Sequence, residues 1–210
     1  MTSKTFSIKK AFSDSWALEK AELSKFILVA VVLLGVSLVS GLAEDQSWIL
    51  TLLSYFLQVY LGIIWIIFAV RSVESKKLVF KSVFKEINAN LYFKFFVLTV
   101  LVTILVGLGT ILLIIPGIIA ATGLQFAGYF MIDENVSIKK SMKLSWEATK
   151  GVRLKLFWLI IVLGLVNILG MLLFGIGLLV TMPLTSLVLA HIYVDFIKHR
   201  KISNSQTSSS

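Results

Sequence analysis

Six stretches of this chain, about 26–42, 48–70, 95–115, 118–132, 156–174 and 178–196, contain no Lys, Arg, Asp or Glu apart from Asp195. A run of roughly 20 apolar residues is what an α-helix needs to cross a hydrocarbon core about 30 Å thick. The remaining composition agrees. The 210 residues are 58% hydrophobic and 15% charged, against about a quarter charged in soluble domains. Alternating ten-residue segments, the mark of a transmembrane β-barrel, are not visible. With six spans accounted for, no independent extramembrane domain fits, and the absence of cysteine excludes disulfides, thiolate metal sites and a thiol nucleophile.

The breaks between the runs are of two alternating kinds. Short ones, Ala43-Glu44-Asp45-Gln46-Ser47, Pro116-Gly117 and Gly175-Ile176-Gly177, read as tight turns of helical hairpins, the last two because Gly and Pro interrupt helices. The others are longer, basic and Ser-containing. All 20 Lys and Arg residues fall in these longer segments and at the termini, whereas the opposite side carries only Glu44 and Asp45. The positive-inside rule then expects both termini and both long loops in the cytoplasm, and the chain in the cytoplasmic (inner) membrane. Gly41-Leu42-Ala43 has the small-x-small form of a cleavage site, but the repeat makes the preceding region part of the fold.

Ser7–Phe26 laid on Ser137–Leu156 without gaps gives eight identities, including Ser7/Ser137, Lys9/Lys139, Lys10/Lys140, Trp16/Trp146, Lys20/Lys150 and Lys25/Lys155. Such a repeat sets the architecture. Ile8, Phe12 and Trp16, Ile138, Met142 and Trp146, and more loosely Phe80, Phe84, Ile87 and Leu91, recur at helical spacing, with Ser7 and Ser137 placed as N-caps. The expected fold is all-α. It is a polytopic membrane protein of six transmembrane helices in three pseudo-repeated hairpins, each preceded by a basic amphipathic interfacial helix. One domain covers residues 1–200, with units at about 7–70, 77–132 and 137–196, followed by a polar Ser-rich tail, 201–210.

Pro116-Gly117-Ile118, Asp133-Glu134-Asn135, Ser141, Ser145-Trp146-Glu147-Ala148-Thr149-Lys150-Gly151, Phe157, Gly170, Gly177 and Pro183 together resemble the membrane domain that precedes some glycerophosphodiester phosphodiesterases. They are equally similar to uncharacterised bacterial and archaeal integral membrane proteins of the same kind. The match covers about residues 80–196. The resemblance implies a six-span helical domain with no established activity of its own. In that family the phosphodiesterase chemistry belongs to a separate soluble barrel, and none follows before Ser210, so no such activity is expected here.

Several groups are candidates for chemistry. Lys9, Lys10, Trp16, Lys139, Lys140, Lys143, Trp146 and Lys150 form a candidate lipid-headgroup interface, because a helix with a Trp-bearing apolar face and a lysine-rich face lies at the membrane surface. Gln58, Gln125 and Asn167 are midplane amides that either line a polar path or hydrogen-bond between helices. The 15-residue fourth run and Pro183 in the sixth mark either a transporter-type interruption or simple hairpin geometry. His191 and Asp195, four apart, share a helical face as a candidate proton-responsive pair, and Asp133 and Glu134 are expected to pair with Lys139, Lys140 or a neighbouring loop. Gly123-x-x-x-Ala127 and Ser37-x-x-x-Gly41 suggest close helix packing. No catalytic set, metal site or cofactor motif is read. The net charge of +9 points to anionic membrane lipids and a possible protein partner at the cytoplasmic face, not to nucleic acid. The function expected is a non-enzymatic lipid-interacting or partner-binding membrane module, with a small transporter or lipid-translocating carrier as the alternative.

Overall fold

The structure, a computed structural model, describes residues 6–43, 48–74, 86–173 and 175–198, and every regular element among them is helical. The order is α1 (Ile8–Ala21), α2 (Leu23–Ala43), α3 (Trp48–Val73), α4 (Ala89–Leu112), α5 (Ile114–Leu124), α6 (Ala127–Glu134), α7 (Ile138–Ala148), α8 (Arg153–Leu172) and α9 (Leu178–Ile192). A five-residue π turn, Tyr193–Ile197, continues α9. Five helical segments are long and apolar enough to cross a membrane, with α5 and α6 together forming one of them. The bent pair α1–α2 makes a sixth if read as one span, although the two helices meet at 94°.

The hairpin partners α2–α3, α4–α5 and α8–α9 pack on each other, and α9 sits at the centre against α1, α2, α3 and α8. Its Leu187, Val188, Ala190 and Ile192 are buried in consequence. Polar groups fasten it laterally: the Trp65 indole N–H donates to Ser186 Oγ, and Asn167 Nδ2 donates to Thr185 Oγ1 at 2.9 Å. In an apolar surround such bonds hold helices that gain little from excluding lipid.

Several sequence expectations shift. Helix α5 starts at Ile114, so the second hairpin turns at extended Leu113 (φ −160°) and not at Pro116-Gly117. Pro116 sits in the first turn of α5, where its missing N–H would have had no intrahelical partner. The fourth span therefore runs Ile114–Glu134, 21 residues, with its break at Gln125 and Phe126. Pro183 does not interrupt the last span either. Helix α9 passes through it, and the irregularity lies further on, in the π turn. Of the expected middle copy, Phe80 and Phe84 lie outside the described residues, and Ile87 is not helical. There Asn88 Oδ1 accepts the Leu91 N–H at 2.8 Å and starts α4 afresh, as an N-cap does. Ser7 Oγ accepts the Lys10 N–H at 3.3 Å, whereas Ser137 makes no capping bond. Gly123 lies directly under the Trp146 ring, while Gly41 has open space beside it. Only the first of the two small-residue motifs marks a close approach.

Candidate functional site

The spans that return toward the basic segments all end in ionisable residues, and the fold joins them. Arg71 and Glu74 close α3, Asp133 closes α6, and Lys198 comes directly after the π turn. Lys198 Nζ lies 3.0 Å from Glu74 Oε1 and 2.8 Å from Asp133 Oδ2. The Tyr193 hydroxyl donates to the same Asp133 oxygen at 3.0 Å. Arg71 lies 3.7 Å from Glu74 and reaches both oxygens of Glu86, just before α4, at 3.2 and 3.1 Å. One ionic chain thus ties α3, α6, the π turn and the approach to α4. Burial alone would lower the Lys198 pKa, but its bonds to Asp133 and Glu74 outweigh that and hold the ammonium above its ordinary range. Arg71, Glu86, Tyr129 and Asp133 also line a pocket of about 10 Å³, the room of a single water.

Asp133 therefore pairs with Lys198 rather than with Lys139 or Lys140. The π turn explains the choice. Its wider, i→i+5 winding redirects the chain beyond Ile197, bringing Lys198 between the two acids and leaving Asp195 exposed. No hydrogen bond joins the expected His191–Asp195 pair. His191 Nδ1 instead lies 2.9 Å from Ser15 Oγ on α1 and 3.1 Å from Leu187 O.

Helices α1 and α7 are each docked by a stripe of small or polar residues. On α1 the buried positions are Ala11, Ser15 and Glu19; on α7 they are Ser141, Ser145 and Ala148. Ser145 Oγ donates to Gly123 O at 2.7 Å and accepts the Phe126 N–H at 3.2 Å. It thereby satisfies backbone groups that the α5–α6 break releases. Lys9, Lys10, Lys139, Lys140, Lys143 and Lys150 are all exposed. Trp16 and Trp146 are 42% and 40% exposed, and each carries a cation, Lys20 at 5.5 Å and Arg153 at 3.8 Å from the ring centre. Ile8, Phe12, Ile138 and Met142 are half-buried against the core, so the Trp residues sit at the edge of the docked face.

The midplane amides do not meet. Gln58 is exposed on α3, Gln125 lies at the α5–α6 break with its Nε2 buried and unbonded, and Asn167 bonds Thr185 and Leu163 O. Among the described residues no three His, Cys, Asp or Glu side chains come together as metal ligands would.

Sequence reasoning missed Glu74, Tyr193 and Lys198, and also Glu19. The first and third carried a readable signal, a charge at the end of a returning apolar span. No family model, curated protein or solved structure matches the chain.

Proposed function

We propose that this chain is a non-enzymatic integral membrane module of the cytoplasmic membrane. In this reading its cytoplasmic rim, built from α1, α7 and the ionic chain, binds anionic lipid headgroups. The observation that carries it is the division of labour on α1 and α7: small residues dock them on the bundle, lysines stay exposed, and a tryptophan sits at the boundary in each. A surface of that kind attracts anionic lipid by roughly 1 kcal/mol per basic residue. The pseudo-repeat is supported by a further correspondence. The 130-residue offset that aligns the sequences also aligns the docked positions Ala11 with Ser141 and Ser15 with Ser145. Each helix leans on the second span of another unit, α1 on α9 and α7 on α5 and α6.

The test is binding to nanodiscs of phosphatidylglycerol and of phosphatidylcholine at several salt concentrations. Preference for the anionic discs should fall steeply with salt. Replacing Lys139, Lys140 and Lys143 with Gln should weaken it by about 1 kcal/mol per charge. Equal, salt-independent binding to both lipids would leave α1 and α7 as anchors only.

The separation of the amides disfavours a carrier, which needs polar groups meeting one substrate. Gln125→Leu should change thermal stability by less than about 1 kcal/mol and leave lipid preference intact. Loss of a transport phenotype in a folded Gln125→Leu protein would restore the carrier reading.

A further inference from the structure

Two of the three hairpins end in exposed, apolar tips. At the α4–α5 tip Ile111 is 82% and Ile115 70% exposed, and at the α8–α9 tip Met171 is 68% and Ile176 71% exposed. No charged residue lies between Lys94 and Asp133 or between Lys155 and Asp195. The remaining turn, Glu44-Asp45-Gln46-Ser47, is polar throughout.

Part of the backbone of the two tips is bonded from within. Leu113 N–H donates to Gly109 O at 3.1 Å and Gly117 N–H to Leu113 O at 3.4 Å, while Pro116 has no donor to leave free. At the other tip Gly175 N–H reaches Met171 O at 3.0 Å, Ile176 N–H reaches Leu173 O at 3.2 Å, and Leu178 N–H reaches Gly175 O at 3.0 Å. Gly175 adopts φ +77° to do so, a conformation natural to glycine. Glycine pairs close both necks. A side chain on Gly109 would meet Gly117 at 3.0 Å, and one on Gly177 would meet the Gly170 backbone. Each such bond lowers the cost of placing this backbone in hydrocarbon.

Length agrees. Residues 95–112, after Lys94, and 156–173, after Lys155, each rise about 27 Å, less when tilted, against a core of about 30 Å. In the first hairpin residues 26–43 also rise about 27 Å and residues 48–70 about 34 Å, so its polar link Glu44-Asp45-Gln46-Ser47, and not its length, sets it apart.

We infer that the second and third hairpins are re-entrant: their tips stop inside the hydrocarbon of the far leaflet, covered by acyl chains, and only the first hairpin emerges into water. This rests on the membrane reading above and deepens it, because two thirds of the bundle then meets the far leaflet as a blunt apolar wedge. A wedge of this kind displaces acyl chains without displacing headgroups.

The native chain has no cysteine, so Leu113→Cys, Ile176→Cys and Ser47→Cys each give one thiol. In right-side-out and inside-out vesicles an impermeant maleimide should label Ser47→Cys from one side and neither tip from either side. All three should label after denaturation in detergent. Nitroxides at the two tips should collide readily with oxygen and poorly with a water-soluble nickel chelate, the signature of acyl chains. Tip labelling at the Ser47→Cys rate overturns the inference. Protection from both oxygen and nickel, with tip-to-tip crosslinking, also overturns it, because a second copy would then cover the tips. If Ser47→Cys is reached only in inside-out vesicles, the proposed orientation fails while the nitroxide comparison still decides the depth of the tips.

Discussion

Lys198→Met should destabilise the folded chain by about 2–4 kcal/mol, measured as the loss of unfolding free energy in mixed micelles followed by tryptophan fluorescence. The magnitude comes from the charges left behind. Glu74 and Asp133, whose side chains are 12% and 10% exposed, lose their shared cation. Glu74 keeps Arg71 at 3.7 Å and Asp133 keeps the Tyr193 hydroxyl, so the cost falls mainly on Asp133, where removing the cation from a buried charge costs more than the pair contributes. Partial exposure of Lys198 itself tempers the upper end. Because two acids share one ammonium, the effects are non-additive. Asp133→Asn in the Lys198→Met background should recover at least half of the loss, although Asp133→Asn alone destabilises. Simple additivity of the two substitutions would show that the contacts are incidental. The pH sign is set by the raised Lys198 pKa. The contribution is complete below the ordinary lysine pKa of 10.5 and fades only as pH climbs through the higher folded value.

What could be read in advance divides along physical lines. Uninterrupted hydrophobicity is a property of single segments, so the apolar runs reappear as helices with little change. Breaks depend on backbone bonding between neighbours. Pro116 read as a turn but fits the first turn of α5, and Pro183 is carried through α9, because a helix surrounded by other helices tolerates proline. The π turn has no sequence mark at all. Lys198, directly after it, meets Asp133 and Glu74, while His191, before it, meets Ser15 and makes no bond to Asp195. The amphipathic faces were read from the large residues Ile8, Phe12 and Trp16. The docked stripe is instead Ala11, Ser15 and Glu19, because helices approach most closely over small side chains. Tryptophan was left for the rim.

Glu19 is the residue whose behaviour departs most from its type. It is fully covered in α1, and neither carboxylate oxygen has a hydrogen-bond partner. One turn away on the same face lie Ser15 and, through it, His191; the neighbouring Glu22 is paired with Lys25. Removal from water without a compensating cation pushes the Glu19 pKa from 4.5 to about 7. In the unfolded chain the group ionises near 4.5, so between that value and 7 the folded state holds a proton that the unfolded state has released. Stability therefore falls as pH rises across this window and stays lower above it. Glu19→Gln keeps the shape of the neutral acid and removes the ionisation. The variant should match the parent near pH 4.5 and exceed it by about 2–3 kcal/mol at pH 8, because each tenfold difference in proton affinity between folded and unfolded chain is worth roughly 1.4 kcal/mol. Unfolding profiles from about pH 4.5 to 8.5 for the parent, Glu19→Gln and the surface control Glu22→Gln test this directly. If the Glu19→Gln and parent profiles run parallel, Glu19 is hydrated and α1 does not dock on α9 as described. If they diverge only above about pH 5, α1 rests on a protonated carboxyl, and its grip on α9 loosens as the solution around it becomes alkaline.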